Sequence, residues 1–134
     1  MGLLLDSRPG WSILRENEQS YELASAAVRP QVQNGQVVFA PDIGLVGWRL
    51  ENAKILDPVG LVSPESLPYH RNRQRFEVVF PQIVREQQPD WVFSRSIYLA
   101  GFLQDPWFTQ HYTPVYERQE LLGQAGSVVV YRRR

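Results

Sequence analysis

Two aspartates set beside glycines are the residues of this chain whose types and spacing point most directly to chemistry. Asp42 stands two positions before Gly44, and Asp57 stands three before Gly60, within the segment PDIGLVGWRLENAKILDPVGLVSP. A pair of carboxylates completed by water suits a divalent cation. A pair facing one glycosidic bond suits sugar hydrolysis. An aspartate next to a glycine turn also accepts backbone N–H bonds, and this requires no ligand. Glycine there permits φ > 0 or a close backbone approach. The turn role is the expectation: Asp42 or Asp57 accepts backbone hydrogen bonds, neither binds metal, and no cofactor is needed.

Other reactive groups are sparse. The chain has no cysteine, which removes disulfides, thiol catalysis and thiolate metal sites. His70 and His111 lie far apart with no ligand spacing around them. Phosphate-loop, dinucleotide, zinc-protease and nucleophile-elbow patterns are all missing. The stretch from Tyr69 to Arg75 gathers His70, Arg71, Arg73 and Arg75. It reads as a solvated loop, or as a weak site for a sugar or an anionic lipid. Trp48, Trp91 and Trp107 with Tyr69, Tyr98 and Tyr112 are the rings available to stack on a sugar. In a domain of this size most of them belong to the core, and Trp48 is the one assigned to the surface.

The elements that position these groups follow from periodicity. The 134 residues are 43% hydrophobic and 21% charged, the composition of one globular domain. Fourteen basic and fourteen acidic residues cancel, which disfavours nucleic acid as a partner. The terminal Arg132–Arg134 triplet reads as a solvated end. No apolar run approaches the ~20 residues needed to span a bilayer. Residues 1–16 read as an irregular lead-in. A helix is predicted near 20–29, capped by Asn17 or Ser20, and a second near 78–88 that starts or kinks at Pro81. Strands are predicted at 36–40, 53–57, 91–94, 113–118 and 127–132, with an extended segment at 45–50. Ser63-Pro64 and Asp105-Pro106 read as short-helix starts, with Ser63 and Asp105 as N-caps. Val38, Ile43, Ile55, Leu56, Val79, Ile83, Val92, Val129 and Tyr131 form the expected core. The sum is a single α/β domain, 1–134, with a mixed β-sheet, flanking helices and a C-terminal β-hairpin.

The segment DIGLVGW-x5-KILDPVGLVSPE resembles one in the soluble C-terminal part of bacterial membrane glycosyltransferases that use polyprenyl-phosphate sugars. These form the superfamily of protein mannosyltransferases and lipid A aminoarabinose transferases. NGQVVFAP before it, IVREQQPDWVF after it, then DPWFTQHYTPVY and VVVYRR extend the resemblance over about residues 20 to 132. Trp48 stands where that family tends to have Tyr, and Pro58 follows Asp57 where an apolar residue is usual. The resemblance implies a non-catalytic accessory domain on the extracytoplasmic face of a bacterial membrane. Its partner would be the transmembrane portion of the same protein, with a lipid-linked sugar or an acceptor nearby. In that family the catalytic carboxylates belong to the membrane-embedded part. A free-standing carbohydrate or small-molecule binding module is the alternative, followed by a metal-dependent enzyme using Asp42 and Asp57. Asp42, Gly44, Trp48, Asp57, Gly60, Arg71 and Arg73 are the candidate binding or turn residues.

Overall fold

The computed structural model describes residues 10–41, 49–59, 63–118 and 128–134. Among these residues, five strands form one sheet in the order β2-β1-β3-β5-β4. They are β1 (Val37–Phe39), β2 (Lys54–Leu56), β3 (Trp91–Arg95), β4 (Tyr112–Arg118) and β5 (Val128–Arg133). Strand β1 pairs in parallel with both β2 and β3, and β5 pairs antiparallel with β3 and β4. The mixed sheet and C-terminal antiparallel pair are those the apolar runs imply.

Each central strand is apolar on both faces, so the sheet needs cover on both sides. Val38, Ala40, Trp91, Phe93, Val128 and Val130 point to one face. Helix α1 (Gly10–Val28) covers it through Tyr21, Ala24 and Val28. Phe39, Val92, Val129 and Tyr131 point to the other face. Helices α2 (Phe76–Gln87), α3 (Leu99–Leu103) and α4 (Pro106–His111) lie there and bring Val79, Phe80, Ile83, Phe102 and Phe108. Of the expected core, Val38, Leu56, Val79, Ile83, Val92, Val129 and Tyr131 are buried and Ile55 is half-buried. Ile43 lies outside the described residues, as does most of the expected extended segment 45–50.

Three expectations need correction. Helix α1 does not wait for a cap at Asn17 or Ser20, and it runs unbroken from Gly10. Tyr21, Ala24 and Val28 pack on the sheet, and extending an established helix by further turns outweighs the weak preference of Asn and Ser for helix ends. Of the two expectations for α2, the start at Pro81 does not hold, since the helix begins at Phe76 and carries the proline inside. Residues 64–70 form a 3-10 helix that Pro68 does not break, and Ser63 makes no cap bond to it. At Asp105 the expected cap is present, since Oδ1 accepts the Trp107 N–H at 3.1 Å.

Among the described residues, β4 is an edge strand, a place in a sheet where a proline such as Pro114 is tolerated. The register slips between Pro114 and Tyr116, a bulge that leaves Val115 exposed.

Candidate functional site

The parallel strands β1, β2 and β3 end on the same side of the sheet, and the chain leaves β1 for β2 but crosses from β2 to the far side of β1. Open α/β sheets bind ligands at such carboxyl ends. Asp57 follows β2 directly and is 1% exposed. Its Oδ1 accepts the Val59 N–H at 2.9 Å, and its own N–H donates to Ser63 Oγ at 2.9 Å. The Ser63 hydroxyl donates onward to the Ile55 carbonyl at 3.2 Å. Ser63 therefore folds the loop back onto β2 instead of capping a helix. Asp57 is the turn acid expected of it. Asp42, Gly44, Trp48 and Gly60 lie outside the described residues.

A wall of rings borders this turn. His70 Nε2 is 2.6 Å from the Pro58 carbonyl, so Nε2 carries the proton and donates it. The His70 ring meets Phe76 edge-on at 6.0 Å, and Phe76 meets Tyr98 at 6.0 Å. Phe76 stacks on Phe80 at 4.9 Å, which ties the wall to the core. Arg71 and Arg73 are exposed on the loop that leaves this wall. Arg73 has φ +52°, left-handed for a side chain with a Cβ.

The opposite end of the parallel strands is built differently. Asp90 Oδ2 accepts the Val37 N–H at 2.8 Å, and Oδ1 pairs with the Arg133 guanidinium at 3.1 Å. The Asp90 N–H returns to the Val37 carbonyl at 2.8 Å. Arg133 also donates to the Gln88 carbonyl at 2.8 Å. The buried Tyr112 hydroxyl donates to Pro89 O at 2.6 Å, and Trp91 Nε1 donates to Gln36 at 2.9 Å. Burial pushes the Tyr112 phenol far above its ordinary pKa; nearby Arg133 lowers it and Asp90 raises it by smaller amounts. The expected solvated arginine tail is thus partly structural, with Arg132 also lying over the Trp91 ring at 5.2 Å. Trp91 and Tyr112 are core residues and offer no stacking surface. Asp90 escaped the sequence reading. Its signal was an acid held between Pro89 and a wholly buried strand, where a backbone partner is required.

A groove of about 620 Å³ runs along the outer face of α2, between Tyr69 on one side and Gly101 and Asp105 on the other. Pro81, Gln82 and Arg85 line its length. Arg85 bridges to Asp105 at 2.6 Å, and Tyr69 donates to Glu86. Burial raises the Tyr69 pKa, and the hydrogen bond to Glu86 adds to the rise. Gly101 makes the close approach of α3 to α2 workable. A Cβ there would sit 2.3 Å from the Glu77 carbonyl oxygen. That carbonyl is the one Pro81, lacking an N–H, cannot bond within the helix.

A family model described as a domain of unknown function, DUF8728, matches residues 11–131. The chain belongs to that family. The matched span takes in both faces of the sheet and both ends of its parallel strands. No curated protein and no solved structure matches the chain. Among the described residues, no three His, Asp or Glu side chains converge as metal ligands, and no helix is long and apolar enough to cross a membrane.

Proposed function

We propose that this DUF8728 family member is a non-catalytic, extracytoplasmic accessory domain of a bacterial membrane glycosyltransferase that uses a polyprenyl-phosphate sugar. Its partner is the transmembrane portion of the same polypeptide, which performs the transfer. The observation that carries the reading is the state of Asp57. This is the acid of the LDPVGLVSPE segment on which the resemblance turns, and it is buried and engaged with the Val59 N–H. A carboxylate serving catalysis or a metal must face a space that substrate or ion can enter. Asp57 instead closes a turn, as a scaffold residue does.

The natural protein tests the reading. An antibody raised against the domain should detect a species well above 15.5 kDa in the integral-membrane fraction. A species of the domain's own size, released by salt washing, would overturn it. The isolated domain, given polyprenyl-phosphate sugar and acceptor lipid, should form no product by mass spectrometry. Turnover abolished by Asp57→Asn would make the domain an enzyme.

The groove along α2 favours a second reading, a carbohydrate- or small-molecule-binding module. An aromatic ring beside apolar Pro81 and hydrogen-bonding Gln82, Arg85 and Asp105 suits a polyol. Saturation-transfer NMR with a panel of monosaccharides, lost in Tyr69→Ala, would establish it.

A further inference from the structure

We infer that the carboxyl end of the parallel strands is a docking surface for an anionic lipid bilayer, entered by Leu67, Phe76 and Ile97 and held by Arg71, Arg73 and Arg75. This goes beyond the accessory-domain reading and does not depend on it.

The exposed apolar side chains come from three segments that meet through the His70, Phe76 and Tyr98 rings. Leu67, Phe76 and Ile97 are 55%, 37% and 46% exposed. Scattered surface hydrophobics need no explanation, but adjoining ones do. Leu67 and His70 are three residues apart in a 3-10 helix, which puts them on one edge. His70 touches Phe76, Phe76 touches Tyr98, and Ile97 is the residue before Tyr98. Aliphatic tips beside amphipathic His and Tyr rings match the boundary between acyl chains and headgroups.

Cations flank the rim. His70 to Arg75, HRNRQR, carries three arginines and no acid. Arg75 pairs with Glu77 at 3.1 Å, and Glu65 lies in the adjoining 3-10 helix, so the local balance stays positive. The loop is fixed. Arg71 N–H bonds Pro68 O at 3.4 Å, and Arg73 N–H bonds His70 O at 3.1 Å. Arg73 holds a left-handed backbone that costs energy for any residue with a Cβ, an outlier of the kind that accompanies binding surfaces. Long arginine stems let the charge reach headgroup phosphates while the apolar tips enter beneath. A nucleic acid fits this surface poorly. Leu67 and Ile97 cannot stack on bases, and the chain as a whole is neutral.

Vesicle co-sedimentation of the 134-residue chain tests the surface. It should bind vesicles of phosphatidylcholine mixed with phosphatidylglycerol, and not phosphatidylcholine alone. Binding should weaken with salt. The triple variant Arg71→Gln, Arg73→Gln, Arg75→Gln should bind roughly tenfold or more weakly. Ile97→Asp should lose binding too, whereas Arg134→Gln, at the opposite end of the sheet, should bind like the parent. All three loop arginines are exposed, and circular dichroism with thermal melting verifies that the triple variant stays folded. Three results would overturn the inference: no preference for anionic vesicles, a triple variant that binds unchanged, or full competition by inorganic phosphate, which marks a free-anion site. Single-stranded RNA binding with the same arginine dependence would reassign the surface to nucleic acid. A failure here leaves the membrane fractionation of the natural protein untouched, so the two readings fail separately.

Discussion

The two ends of the parallel strands use aspartate in opposite ways. At the amino end, Asp90 joins segments far apart in sequence, binding the Val37 N–H on one strand and Arg133 on another. Tyr112 and Trp91 add bonds of similarly long range. At the carboxyl end the side-chain bonds among the described residues span shorter stretches of chain. Asp57 reaches Val59 and Ser63, and His70 reaches Pro58. Long-range bonds fix the order of the strands, and losing one disturbs the whole sheet. Local bonds shape a loop and leave its outer surface available for contact. Among the described residues, the difference teaches that Asp90 ties strands together while Asp57 shapes the turn it stands in.

The largest effect expected is at Asp90. Asp90→Ala should lower stability by about 2–4 kcal/mol, because the Val37 N–H and the Arg133 guanidinium both lose their acceptor. Urea unfolding followed by tryptophan fluorescence measures it, and a loss comparable to that at an exposed site would break the comparison. Asp57→Ala should cost about 1–3 kcal/mol in the same assay. Asp57→Asn should cost less, since an amide oxygen can still accept from Val59. Native-state hydrogen exchange sharpens the contrast. Asp57→Ala should deprotect residues 55–59 and 63–66, while Asp90→Ala should deprotect β1, β3 and β5 together.

The third test uses pH. Tyr112 has a raised pKa in the folded protein, so above the unfolded value, about 10, the folded state holds a proton that the unfolded state releases. Stability from this group is complete below that value and falls as pH rises through and beyond it. Tyr112→Phe should flatten the alkaline loss. At neutral pH it should cost only about 1 kcal/mol, for the bond to Pro89 O. An unchanged alkaline slope would assign the loss to the other tyrosines with raised values, Tyr69 and Tyr131.

Much of the sheet was legible because its strands are short apolar runs bounded by Gly, Pro or Asp, and burial on two faces leaves such runs little else to do. The Asn-Gly pair before β1 is a turn signal of a different kind, and Gly35 there has φ +80° with its N–H bonded to Asn52 O. What the sequence hid were features decided by tertiary partners. Helix α1 begins at Gly10, ahead of both residues that read as caps. The role of Asp90 depends on Arg133, 43 positions away. The wall of His70, Phe76 and Tyr98 joins three separate segments, and no spacing rule links them. Arg71 and Arg73 were legible as cations, but not the apolar rim beside them.

Pro81 and Gly101 carry a consequence for how this sequence can change. One residue withholds a donor from the Glu77 carbonyl, and the other, lacking a side chain, leaves room against that same oxygen. Neither choice is neutral without its counterpart. Gly101→Ala alone meets backbone and should cost about 1–3 kcal/mol. Pro81→Ala alone supplies an N–H that draws the carbonyl back into the helix ladder and away from α3. Made together, the two replacements should depart from additivity, as substitutions in direct contact do. The positions form an epistatic pair, and drift at either is expected to wait on the other.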